Sequence, residues 1–115
     1  MKRSLRLTHS DDILRVRNEG RSYAHKSLVL GILTNEITQN RIAVIAGRTV
    51  GGAVQRNLAK RRIRSAIQYF YNDLEKGFDI VLIARQSILD IEYHMLVSAL
   101  KTLLNRAGIL KDKKN

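Results

Sequence analysis

Arg56, Lys60 and Arg64 recur at intervals of four, with Asn57 and Arg61 beside them. The chemistry open to such a set is the binding of phosphate. On a helix turning about 100° per residue, these five side chains fall within an arc of about 140°. They belong to a wider window, Ile37 to Asn72, that holds seven Lys and Arg and not one Asp or Glu; six of the seven lie between Arg48 and Arg64. Like charges four apart on a helix repel, and a solvated helix face normally interleaves acids to relieve this. An acid-free cationic face therefore calls for a polyanionic partner, in keeping with a formal net charge of +11. Nucleic acid is favoured over a membrane surface. Clustered Lys and Arg gain from counterion release at phosphates, whereas a membrane-lying helix needs a broad exposed apolar face.

The residue types that would cut a phosphodiester are poorly arranged. The ten acids are scattered, and the pairs Asp11 with Asp12 and Asp90 with Glu92 stand where helix caps are expected, which argues against a protein-built two-metal site. His9, His25 and His94 show no ligand or nuclease spacing, and the chain has no Cys for a thiolate site or a disulfide. No catalytic residue is assigned to this chain. At 115 residues and 44% apolar, residues 1–115 are expected to form one domain with one core. There is no apolar run of 18 residues, and the opening MKRSLRLTHSDD lacks the apolar middle of a signal peptide, so a cytoplasmic location is expected.

The elements that must position the cations follow from the apolar pattern. Thr8, with Asp11 three residues on, is expected to cap a first helix that Gly20 closes. A short strand is possible near Tyr23 to His25. Ser27–Leu33 (SLVLGIL) and the RIAVIAG run after Asn40 read as two strands joined as a hairpin through the polar segment Asn35 to Asn40. Gly47, Gly51 and Gly52 interrupt the pattern before a helix from about Ala53 to Tyr71, whose Ala59, Ile63, Ala66 and Phe70 form a buried side. FDIVLIAR after Gly77 is the clearest buried strand. Asp90 is then expected to cap a last helix that ends at Gly108, with 109–115 a basic flexible tail. The order αβββαβα places a strand, a helix and another strand in succession, which suggests a parallel pair covered by helices on one face of a mixed α+β sheet.

At these residues the chain resembles the protein subunit of bacterial ribonuclease P, the ribonucleoprotein that removes the 5′ leader of precursor tRNA. The resemblance rests on G-x-A-V-x-R-N-x-x-K-R-x-x-R, present as Gly51, Ala53, Val54, Arg56, Asn57, Lys60, Arg61 and Arg64. Arg41 at the head of the preceding strand, the later strand Asp79 to Arg85 and the element order from Arg3 to Gly108 extend it. It implies a single-domain αβ sandwich with a mixed four-stranded sheet and a left-handed β-α-β crossover, opposite to the general rule. It further implies that Arg48, Arg56, Asn57, Lys60, Arg61 and Arg64 bind the catalytic RNA. A cleft between the sheet and the first helix would hold the leader of precursor tRNA. The RNA would carry the chemistry with Mg2+ ions held mainly by RNA, and no protein partner is implied.

Several positions depart from the family. Its Arg-Asn-Arg triplet reads Arg56, Asn57, Leu58; its paired lysines before the Gly turn read Arg48, Thr49; and Gly52 replaces the usual Asn. Arg62 could restore one charge, about 100° from the basic arc. Asn57 could read a base edge or an RNA sugar, or cap local backbone. The aromatics expected along the leader cleft correspond to Ile13, Arg17, Leu28 and Gly31, of which Arg17 could contact phosphate or stack on a base; Tyr23 is one nearby aromatic. Tyr69 and Tyr71 are expected to pack. The alternative function is a non-catalytic ribosomal-RNA-binding or ribosome-assembly protein, since this type of sandwich is shared with ribosomal domains. A DNA-binding module is disfavoured because strands, not a helix and a tight turn, precede the basic helix.

Overall fold

A computed structural model describes residues 5–111. The order is α1 (Ser10–Glu19), β1 (Arg21–Ala24), β2 (Leu28–Thr34), β3 (Arg41–Ile45), α2 (Ala53–Phe70), β4 (Phe78–Ala84) and α3 (Tyr93–Ala107). Short 3-10 turns at Tyr71–Asp73 and Gln86–Leu89 flank β4. The expected αβββαβα order and mixed four-stranded sheet are both present.

Strand β4 is the most apolar run in the chain, and it takes the interior of the sheet. The strand order is β1-β2-β4-β3. β4 pairs antiparallel with β2, from Leu28 opposite Ala84 to Thr34 opposite Phe78, and parallel with β3, from Arg41 beside Asp79 to Ile45 beside Ile83. Both faces of β4 are covered, which is why its sequence is continuously apolar rather than alternating. β2 and β3 are therefore not a hairpin, because β4 lies between them. The hairpin is instead β1 with β2, closed where His25 N–H donates to the Leu28 carbonyl at 2.9 Å.

The polar segment read as a hairpin turn crosses the end of β4 and is bonded to the chain leading into it. Asn35 N–H donates to the Gly77 carbonyl at 2.8 Å. The Asn40 side chain is buried; its Nδ2 donates to the Glu75 carbonyl at 2.8 Å and its Oδ1 accepts from Phe78 N–H at 2.9 Å. Tyr71 completes the clamp by donating its hydroxyl to the Asn40 carbonyl at 2.7 Å. Gly77 bends this entry with φ +96°, a left-handed conformation that glycine adopts without steric cost.

Alternation along the strands builds two cores. Leu28, Leu30, Ile32, Ile42, Ile80 and Leu82 face α2 and α3 in the larger one. Ala43 and Val81 face the other way, against Val16 of α1 and Leu7. Helices thus cover both faces, not one. The cap of α1 is His9 rather than Thr8, with no side-chain cap bond, and Asp11 and Asp12 stand in the first turn, favourable to the helix dipole. Gly20 ends the helix as expected but for a different reason. Its φ is −79°, and a Cβ there would lie 2.3 Å from the Ile32 carbonyl oxygen, so glycine permits close approach of α1 to β2.

At the C-terminal end, Glu92 is the N-cap of α3, while Asp90 closes the 3-10 turn before it. Gly108 adopts the left-handed cap at φ 74°. The expected tail does not begin at 109: Ile109 is buried, Leu110 bridges to Leu74, and Lys111 N–H donates to the Asp73 carbonyl at 2.7 Å. Residues 112–115 lie outside the described residues.

Two measurements follow. Gly20→Ala is expected to destabilise by about 1–3 kcal/mol in denaturant unfolding, while Gly47→Ala, with nothing within 4 Å of the added Cβ, is expected to stay within about 0.5 kcal/mol of wild type. Burial pushes the Tyr71 phenol above its ordinary value. A raised phenol contributes stability that is complete below its unfolded value and lost as pH rises through its folded value. Wild type is thus expected to lose stability from about pH 10 upward. Tyr71→Phe should lose about 1 kcal/mol at neutral pH and show a shallower alkaline decline.

Candidate RNA interface

The basic helix is presented by a turn of β3's exit. Val50 N–H donates to the Gly47 carbonyl and Gly51 N–H to the Arg48 carbonyl, each at 3.1 Å, with Arg48 exposed on the turn. Gly51 has φ +143°, a conformation closed to most L-residues, and Gly52 caps α2 with no side-chain bond and no acid in the first turn. The positive end of the helix dipole therefore stays uncompensated by protein.

Along α2 the sequence divides into distinct faces. Ala59, Ile63, Ala66, Ile67 and Phe70 are buried against the sheet and α3. Arg56, Lys60 and Arg64 are half-buried along the edge of that stripe, and Asn57 and Arg61 are exposed. The fold thus brings five of the expected RNA contacts onto one side of one helix, with Arg48 on the turn ahead of it. Arg48, Arg56, Lys60, Arg61 and Arg64 take part in no ion pair with an acid among the described residues. Arg56 also carries a buried Nε with no hydrogen-bond partner, a desolvation cost left unrelieved within the protein.

Arg62 behaves otherwise. Its guanidinium donates to the Ile88 carbonyl at 3.1 Å and the Ile91 carbonyl at 2.6 Å, so it ties α2 to the segment before α3 and does not restore the charge missing at Leu58. Leu58 itself is 44% exposed.

The groove beside α1 is only partly the one anticipated. Ile13 packs at the edge of the smaller core and, with Leu7, Ile45 and Arg64, lines a groove of about 190 Å3. Arg64 thus joins the basic face to the α1 side around the outer edge of β3, where Leu7 N–H donates to the Ile42 carbonyl at 2.8 Å. Arg17 is exposed in the last turn of α1. Leu28 is fully buried on the α2 and α3 side and cannot reach this groove. Tyr23 lies opposite Leu30, whose side faces the larger core, so it also points away from α1; its ring sits under Arg106 at 5.7 Å. Strand periodicity explains both corrections, since residues of one parity share one face. Gly31 has the other parity: a Cβ there would stand 3.4 Å from Val16 Cγ1. Of the two tyrosines expected to pack, Tyr71 does so, but Tyr69 is 74% exposed.

The charged cluster beneath α1 was not anticipated. Asp79 is wholly buried at the start of β4 and receives Arg41 Nε at 2.9 Å and Arg41 Nη2 at 2.8 Å, with Asn35 Nδ2 at 2.9 Å. Arg15 approaches Asp79 at 3.8 Å, and Asp12 lies 3.8 Å from Arg41, so the pair also holds α1. The bonds it donates to Asp79 raise the Arg41 pKa further above its already high ordinary value. One acid heading an otherwise apolar strand, with an arginine heading the strand beside it, was the available signal.

Among the described residues, no three His, Cys, Asp or Glu side chains gather as a metal site, and no helix is long and apolar enough to cross a membrane. A mixed sheet bearing an unpaired cationic helix behind a glycine turn defines a small αβ sandwich of the RNA-binding kind. The ribonuclease P family model matches residues 1–108. The chain is 38% identical over 112 residues to a ribonuclease P protein component of Symbiobacterium thermophilum, covering 96% of this chain and 97% of that protein. It is 40% identical over 95 residues to one from Clostridium botulinum, covering 82% and 86%. The ribonuclease P protein structure from Staphylococcus aureus superposes with a TM-score of 0.84 at 28% identity over 93% of this chain and 98% of that one. That from Thermotoga maritima gives 0.79 at 28% identity over 88% and 96%. The chain belongs to the ribonuclease P protein family, the protein component of the endoribonuclease that processes precursor tRNA. These likenesses favour that role over ribosome assembly.

Arg41→Ala is expected to cost roughly 3 kcal/mol or more, because it strips the main partner from a buried carboxylate. Arg41→Gln/Asp79→Asn should recover part of this loss. Urea unfolding of both variants checks it.

Proposed function

We propose that Arg48, Arg56, Asn57, Lys60, Arg61 and Arg64 bind the catalytic RNA of ribonuclease P, and that the groove between α1 and the sheet receives the 5′ leader of precursor tRNA. The observation that carries the first part is the division among the cations. Those that serve the fold are satisfied: Arg41 and Arg15 by Asp79, and Arg62 by two carbonyls. Those on the motif face are not, although they stand within one helix of each other. Phosphates would relieve that repulsion, and a change of rotamer at Arg56 would give its Nε an RNA acceptor. Exposed Asn57 is free to meet a sugar hydroxyl or base edge.

For the leader, the residues retained are Ile13 and Arg17, with Arg64 at the junction of groove and basic face. An apolar floor with cationic margins suits a single strand bound through its backbone and base faces. Asp12 and Asp79, the acids of the cluster beneath α1, do not suit Mg2+, because they are already engaged by Arg15 and Arg41. On this reading Mg2+ is held mainly by RNA, and the protein works in the cytoplasm by raising affinity for the precursor. Its basic face reduces the repulsion between two RNAs, so less Mg2+ is required.

Cleavage of precursor tRNA by a bacterial ribonuclease P RNA at low Mg2+ tests this. Wild type should stimulate the reaction, and a folded Arg56→Ala/Lys60→Ala/Arg64→Ala variant should not. With about five phosphates neutralised, log affinity should fall against log salt with a slope of about −3.5 to −4.5, and each charge removed should flatten it by about one unit or less. A salt-independent interaction would refute the assignment.

A further inference from the structure

Besides its buried and basic sides, α2 carries an exposed stripe through Val54, Leu58, Arg61, Ser65 and Tyr69, at spacings of four, three, four and four. Tyr69 is 74% exposed, yet its ring is held edge-on against buried Phe70, with centroids 5.1 Å apart and planes at 82°. Tyr93, 42% exposed at the first position of α3, brings its hydroxyl to 2.8 Å from Ser65 Oγ. Arg62 fixes the approach of this second ring, since it binds the carbonyls of Ile88 and Ile91 just before it. Tyr93 thus stands against Ser65, and Tyr69 follows Ser65 by one turn on the same exposed stripe.

We propose that Tyr69 and Tyr93 form a stacking site for unpaired bases of the RNA held by the basic face of α2. This rests on the RNA-binding reading above and extends it to a surface outside the motif. Arg61 belongs to both the stripe and the basic arc, and Ser65 follows it by one turn, about 6 Å along the axis. A nucleotide whose phosphate meets Arg61 thus has neighbouring bases within reach of the rings. Charge selects the occupant. No acid lies between Ile37 and Asn72, and the chain carries +11. A second copy of the chain would set two cationic faces together. Exposed rings next to Arg on an acid-free helix suit splayed RNA bases, which every aromatic face accepts regardless of sequence.

Binding of a bacterial ribonuclease P RNA is measured for wild type, Tyr69→Ala, Tyr93→Ala, Tyr69→Phe and Tyr93→Phe, with a fully paired RNA duplex as control. Each alanine variant should bind the ribonuclease P RNA about 5- to 100-fold more weakly with an unchanged salt slope, and bind the duplex as wild type does. The phenylalanine variants keep the rings and should keep the affinity. The chain has no Trp, so Tyr69→Trp supplies a sole indole whose emission should be quenched by the ribonuclease P RNA and not by the duplex. Wild-type affinity in both alanine variants, or equal weakening on the duplex, would overturn the stacking site. So would loss of self-association in sedimentation at unchanged RNA affinity, which would assign the stripe to protein contact. Absence of any RNA binding by wild type would overturn the functional reading as well, so the two failures are distinguishable.

Discussion

Strand β4 is hydrogen-bonded along both edges and covered on both faces, and the remaining architecture is arranged around that requirement. A fully enclosed strand leaves no side for polar residues, so the one charge it contains, Asp79, must be neutralised where it enters the sheet. Arg41 does this from the neighbouring parallel strand with two short bonds, and Asn35 and Arg15 reach the same carboxylate. The ion cluster thereby joins β3, β4, the connection after β2 and the first helix at one point. The register that aligns Arg41 with Asp79 is also the register that aligns the two apolar faces.

Once β4 is central, the surfaces used for binding have fixed positions. The chain must cross from β2 to the far side of β4 to lay down β3, and Asn40 at the end of that crossing ties it to the backbone leading into β4. The exit of β3 then delivers the glycine turn and α2 onto the face bearing Leu30, Ile80 and Leu82. Burying Ala59, Ile63 and Ala66 against that face leaves the helix no choice about which side its cations present. The opposite face is left to α1. Gly20 lets the end of that helix approach Ile32, and Val16 fills the space above Gly31.

The cations divide by burial and partner rather than by sequence neighbourhood. Arg61, Arg62 and Arg64 lie within four residues, yet Arg62 holds two carbonyls while its neighbours face outward. A helix turns each successive side chain by about 100°, so adjacency in sequence guarantees different surroundings. Repulsion among the unpaired members is tolerated in the free protein because solvent screens exposed charges. It becomes useful when phosphate replaces water.

Much of this was legible from the residues. The acid-free cationic run, its helical spacing, the apolar side of α2, the buried strand after Gly77 and the closing Gly108 depend on local periodicity and backbone preference, and they stand as read. The motif around Arg56 and Lys60 also pointed to the family. Local pattern could not decide which strands are neighbours, because β2 and β3 present the same short apolar runs whether paired together or separated by β4. It could not reveal the Asp79 cluster, whose members are scattered from Asp12 to Asp79 and meet only when the register is set. Nor could it separate exposed Tyr69 from packed Tyr71, or place Leu28 and Tyr23 on the face away from α1, because the parity of a strand acquires meaning only when the packing of helices assigns each face a partner. The sequence alone determined the elements and the charge they carry; the tertiary structure decided adjacency, face and exposure, since these arise from contacts between residues far apart in the chain.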